Sequence, residues 1–110
     1  MPQYLLQVAY TPEAWASLVK NPQDRFEAVR PVVEKLGGKL ETKWFCFGDY
    51  DRLAVLDMPD NVSAAAFSLA ASAGGAIRAI KTTPLLSTDE GVAAMKKAAT
   101  AGYKPPKRKA

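Results

Sequence analysis

Residues 47–56 read FGDYDRLAVL, which sets a phenol, two carboxylates and a guanidinium directly behind one glycine. Side chains of these types, so close together, can bind an anion, fix a carbonyl group or pass a proton. Tyr50 carries a hydroxyl that donates and accepts, and Arg52 carries a planar fork of donors that fits a carboxylate or phosphate. Lys43 and Phe45 lie just upstream. Arg52 beside Phe45 makes either a cation–π pair on an open sheet or an anion clamp. Tyr10 closes an earlier apolar run. Lys20 and Arg25 bracket the segment NPQD, where the start of a helix would help to hold a carboxylate or phosphate. The candidate ligand-binding residues are therefore Tyr50, Arg52, Lys43, Phe45, Tyr10, Lys20 and Arg25. Plainer readings stand beside these: Tyr50 as a packing aromatic, Lys20 and Arg25 as solvated charges. Gly48 reads as a turn glycine and Asp49 as a solvated turn residue. Asp51 reads as a carboxylate that bonds backbone N–H groups of neighbouring loops.

Histidine is absent and Cys46 is the single cysteine. That excludes His-ligated haem, His-containing zinc sites, His-based triads and an intrachain disulfide. Neither a metal nor another cofactor is expected. Proton transfer would fall to Tyr50, Tyr10, Asp51, Lys43 or Arg52. The sequence singles out no catalytic residue among them. Cys46, on an apolar face, reads as a small buried hydrophobe. The glycine pairs at 37–38 and 74–75 end helices, since no phosphate-loop pattern surrounds either.

These residues need a scaffold. Residues 3–10, QYLLQVAY, are strand-like. Thr11 and Pro12 then offer an N-cap and a first helical position, and Asn21 with Pro22 repeats the device. Phe26, Val29, Val33 and Leu36 share one face of the second helix, and Pro31 predicts a kink or break inside it. Two strands follow at 39–47 and 50–58. Residues 60–73 form an alanine-rich helix capped by Asp60 or Asn61. A strand at 76–86 carries Pro84, which suits an edge. Ser87 and Glu90 form a capping box that opens a last helix. The order β-α-β-β-α-β plus a terminal helix is the α+β, ferredoxin-like split βαβ pattern.

A Gly-first loop of two residues, Gly48-Asp49, predicts a type II′ hairpin in which Phe45 opposes Arg52. Alternation then sorts the side chains. Leu40, Thr42, Trp44, Cys46, Leu53 and Val55 share one face, expected to lie beneath the helices. Glu41, Lys43, Phe45, Phe47, Tyr50, Arg52, Ala54 and Leu56 share the other, expected to be bare. On the first strand Gln3 and Gln7 are placed on this bare face. A face so apolar is expected to meet another subunit, a ligand or both.

The chain has 110 residues, enough for one domain with a modest core. Residues 1–100 hold 11 basic and 11 acidic side chains, so the body is neutral. The net charge of +4 comes from Lys104, Lys107, Arg108 and Lys109. The domain is taken as 1–98 and a disordered basic tail as 99–110. Four charges without interleaved aromatics argue against specific nucleic-acid binding. No apolar run is long enough to span a bilayer and no leader pattern follows Met1, so a soluble cytoplasmic protein is expected, with no membrane partner.

The segments YLLQVAYT, Lys20 with NPQDR, LGGKL, FGDYD, MPD, AGGAIR and STDE, in that order along the chain, resemble the GYD domain family. Gly48, Tyr50 and Asp51 match the Gly-x-Tyr-Asp signature, and the likeness covers about residues 3–98. Pro31 and the bulky EAWASL stretch depart from the family's usual pattern. The resemblance implies a ferredoxin-like domain of the dimeric α/β-barrel type and no settled activity. GDYDRLAVLDMPD is also similar to the hairpin of ligand-sensing domains in Lrp/AsnC-type regulators, which bind small effectors between subunits. No helix-turn-helix segment precedes it here, so DNA binding does not carry over. The expectation is a homodimer or higher oligomer that binds a small molecule on its sheet face. The alternative is a cofactor-independent monooxygenase or isomerase.

Overall fold

The structure is a computed structural model that describes residues 1–107. Strands β1 (Gln3–Tyr10), β2 (Lys39–Phe45), β3 (Arg52–Asp57) and β4 (Ile77–Leu85) form one antiparallel sheet in the order β2-β3-β1-β4. Helices α1 (Pro12–Lys20), α2 (Arg25–Lys35), α3 (Asn61–Ala73) and α4 (Thr88–Ala99) complete the chain. This arrangement is compatible with a ferredoxin-like fold. As Pro84 suggested, β4 lies at an edge.

The caps follow from local chemistry. Thr11 accepts from the Ala14 N–H, Asp60 from Ser63, and Ser87 with Glu90 makes both bonds of a capping box. The second cap differs from expectation. Asp24, not Asn21, caps α2 by accepting from the Phe26 and Glu27 N–H groups, and Asn21 instead closes α1. Pro31 does not break α2, which runs on to Lys35. Pro31 faces solvent, where water can bond the carbonyl it leaves free, while Phe26 and Val33 hold the opposite face in the core. Gly37 ends the helix at φ 87°, in the left-handed region.

The two faces of the sheet are the reverse of expectation. Beneath α2 and α3 lie Tyr4, Leu6 and Val8 of β1, Arg52, Ala54 and Leu56 of β3, and Leu40 of β2, all buried. Lys43 and Phe45 share that side. Leu53, Val55, Thr42 and Trp44 lie on the bare side, beside Leu5, Gln3 and Gln7. Trp44 is 61 % exposed. Alternation says which residues share a face but not which face receives the helices. An irregularity between Leu40 and Thr42 also shifts the alternation, so Leu40 joins Lys43 rather than Trp44. Gln3 and Gln7 lie on the bare side as expected, but in the company of Leu53 and Val55 rather than of Phe45 and Arg52.

The hairpin keeps the expected Phe45–Arg52 pairing, but its loop is wider than two residues. Beyond that pair one bond continues, from the Cys46 N–H to the Asp51 carbonyl at 2.8 Å. Asp51 then turns toward β1, donating its N–H to the Val8 carbonyl at 2.8 Å. Gly48 takes φ 115°, as a turn glycine does.

Helix α4 buries none of its residues, and Leu86, Val92 and Met95 stand exposed on and beside it. The radius of gyration is 18.1 Å, against about 13 Å for a compact domain of this length. Among the described residues no helix is long and apolar enough to cross a membrane. The expectation of a disordered tail falls partly on residues 108–110, which lie outside the described residues.

Candidate functional site

Two groups of polar side chains and one largely apolar cavity are the candidate features of the site. The first centres on Arg52, which is 2 % exposed. Its guanidinium lies between two aromatic rings, 4.2 Å from the centre of Phe26 and 3.8 Å from that of Phe45. It donates to the Trp44 carbonyl at 3.0 Å and to Asp24 Oδ1 at 3.1 Å. Lys43 pairs with Asp24 and with Glu27, and Arg30 pairs with Glu27. Burial pushes the Asp24 carboxyl up, but hydrogen bonds from Lys43 and Arg52 outweigh it and hold the pKa at about 2. Hydrogen bonds from Arg30 and then Lys43 hold Glu27 at about 2 as well. Arg52, Lys43 and Phe45 are thus brought together as the sequence suggested. The anion they clamp is the protein's own Asp24, and the cluster stiffens the joint between α2 and the β2–β3 hairpin.

The second group centres on Asp51. One of its carboxylate oxygens accepts from the Tyr10 N–H at 2.9 Å and from Trp15 Nε1 at 3.1 Å. The Trp15 ring stands edge-on to Tyr10, with centroids 5.4 Å apart. Asp51 therefore joins the hairpin to the end of β1 and to α1. This is the backbone-bonding role expected of the motif's last residue.

The third is a cavity of about 260 Å³ between α2 and α3, floored by β1 and the start of β4. Its walls include Leu6, Val8, Phe26, Val29, Phe67 and Ile77. Tyr10 and Arg25 also line it, and both line a smaller neighbouring cavity of about 220 Å³ beside α1. Tyr10 is 7 % exposed, and its hydroxyl is the one buried polar side-chain atom among the described residues with no hydrogen-bond partner. Burial pushes the phenol pKa up, against the pull of the Arg52 and Arg25 charges. Arg52 stands close enough to act on this hydroxyl. Two of its five N–H donors go to Trp44 and Asp24, and none of the rest meets the hydroxyl with hydrogen-bond geometry.

The remaining candidates stay apart. Tyr50 is half-buried in the hairpin loop, where its carbonyl accepts from Cys46 Sγ at 3.2 Å. Lys20 is exposed in the last turn of α1. Neither lines the cavity. Asp24 and Trp15 carry much of the geometry and were not singled out from the sequence. Asp24 was detectable, because an Asp followed three residues later by Glu at the head of an apolar helix is a cap signature. Trp15 had no such signal.

The GYD domain model matches residues 4–99, nearly the whole of the described chain. No curated protein and no solved structure is similar enough to count as a match. The matched span runs from the start of β1 to the end of α4 and contains Gly48, Tyr50 and Asp51 in the hairpin. The chain belongs to the GYD domain family.

Proposed function

We propose that the protein is a homodimeric small-molecule-binding domain, with one ligand held in each protomer between α2, α3 and the sheet. The observation that carries this reading is the Tyr10 hydroxyl. Buried polar groups are almost always bonded, because leaving one unpaired costs about 1–3 kcal/mol. Here the unpaired group belongs to a side chain that lines an apolar cavity. A few polar groups beside a mostly apolar hollow is the usual make-up of a small-ligand site.

The dimer reading rests on the bare side of the sheet. Leu5, Leu53, Val55 and the exposed Trp44 form an apolar strip there, and α4 has apolar residues with nothing packed on them. A second copy that met this face sheet to sheet would cover the strip, giving a barrel of the dimeric α/β type. Catalysis is the weaker reading. Asp51, Lys43 and Arg52 are tied into structural bonds, and a phenol whose pKa is raised by burial is a poor base at neutral pH.

Two measurements test this together. Light scattering should give twice the chain mass, and a stable monomer at micromolar concentration would defeat the dimer. A thermal-shift screen of small metabolites should yield hits that Tyr10→Phe weakens. Hits insensitive to every cavity residue would place the site elsewhere.

A further inference from the structure

We infer that the cavity takes a small monocarboxylate with an apolar body, its carboxylate set toward Arg25 and Tyr10. This rests on the binding reading above and names the class of ligand.

The cavity's size comes first. At about 260 Å³ it falls just below the roughly 300–1,000 Å³ typical of drug-sized sites, which suits a compact metabolite. Its walls come second. Apart from Tyr10 and Arg25, the side chains that line it from α2, α3 and β1 offer no hydrogen bonds, so most of the occupant must be apolar.

Charge decides the rest. Lys43, Arg30 and Arg52 are each paired with Asp24 or Glu27. Arg25, which directly follows Asp24, makes no ion pair among the described residues, because the Asp24 carboxylate is already occupied by Lys43, Arg52 and the helix cap. An exposed guanidinium that lines an apolar hollow favours an anion there and repels a cation. Tyr10 adds a donor that lacks an acceptor, and a group entering between α2 and α3 can supply one. One guanidinium and one hydroxyl match the two oxygens of a carboxylate. A phosphate group, with more oxygens and more charge, would leave acceptors unmet in so apolar a setting.

The test uses the full chain and three probes of nearly equal size: phenylacetate, 2-phenylethanol and 2-phenylethylamine. Amide NMR titrations would follow Ala71 and Ala76, which line the cavity. Phenylacetate should shift these amides and bind roughly tenfold or more tightly than the alcohol, with the amine weakest. Arg25→Gln should abolish the preference for the acid while leaving the melting temperature unchanged, as expected for an exposed residue. Tyr10→Phe should weaken the acid and the alcohol alike. Lys20→Gln, outside the cavity, should change neither. Equal binding of acid and alcohol, indifferent to Arg25→Gln, would overturn the carboxylate class and leave the cavity reading standing. Failure of all three probes to shift the cavity amides would overturn both.

Discussion

The Asp51 carboxylate accepts from Trp15 Nε1 at 3.1 Å, and so fastens the β2–β3 hairpin to α1 across 36 residues of sequence. The same oxygen takes the Tyr10 N–H. Asp51→Ala should therefore leave two donors unmet and lower stability by roughly 1–3 kcal/mol. Trp15→Phe removes one of those donors together with its need, and should cost less. A thermodynamic cycle on the two variants would show coupling between them. If Asp51→Ala melts like the wild type, the motif's last residue is not a structural tie.

Arg52 needs Asp24 because a guanidinium at 2 % exposure has lost its water. Breaking a fully buried pair costs about 3–5 kcal/mol, and the part-exposed Asp24 side chain reduces that, so Asp24→Asn should cost about 2–3 kcal/mol at neutral pH. Arg52→Met keeps an apolar body between the Phe26 and Phe45 rings and removes the stranded charge. Combined with Asp24→Asn it should recover most of the loss. Urea melts of the two single variants and the double variant check this, and losses that simply add would refute it.

Acid should weaken the same joint. The Asp24 carboxyl titrates at about 2 when folded and at 3.8 as a free side chain. A carboxyl lowered by folding contributes stability above its unfolded pKa and loses it as pH falls through the folded value. Stability should thus decline between about pH 4 and pH 2. Glu27 is held at about 2 and titrates in the same window, so Asp24→Asn should flatten the decline without removing it. Thermal melts across that range would reveal an unchanged slope if the Asp24 pairs contribute nothing.

The interface prediction separates the two faces. Val55→Lys sets a charge in the apolar strip of the bare side and should convert the proposed dimer to a folded monomer by light scattering. Phe45→Ala, on the helix side, should cost stability through the lost ring over Arg52 and leave the mass unchanged. The opposite pattern would mean that the copies meet through the hairpin rather than the sheet.

The order of elements was legible because each boundary has a local cause, such as Thr11, Asp60, Ser87 and the glycines at 37 and 74. The two faces were not, because their cues are tertiary. Arg52 looks like a surface residue until Asp24, 28 positions earlier, neutralises it and two rings enclose it. Trp44 looks like core, yet the helices pack on the other side of the sheet and leave it with Leu53 on the open side. The irregularity at Glu41 carries only Leu40 across to the covered side. The cavity was legible only in part. Tyr10 and Arg25 both stood among the candidates, but nothing local announces that α2 and α3 leave a gap above them.

The two glycines that flank β2 and its hairpin should respond differently to substitution. Gly48, in the family's signature, has open space where a side chain would go, and only its φ of 115° resists one. Gly48→Ala should cost about 1–2 kcal/mol from backbone strain alone. Gly48→Val should cost more, since a β-branched residue tolerates positive φ less well. Gly38 has no such φ, but a Cβ there would lie 2.5 Å from the Asp57 carbonyl oxygen and still nearer the buried Met58 sulfur. The sulfur can move, whereas the carbonyl belongs to the backbone of β3. Gly38→Ala must therefore push β2 and β3 apart at the core end of the hairpin. It should lower the melting temperature further than Gly48→Ala, although it adds the same methyl group. Melts of the two alanine variants decide the matter, and a greater loss at Gly48 would mean that backbone strain outweighs the close approach of the strands.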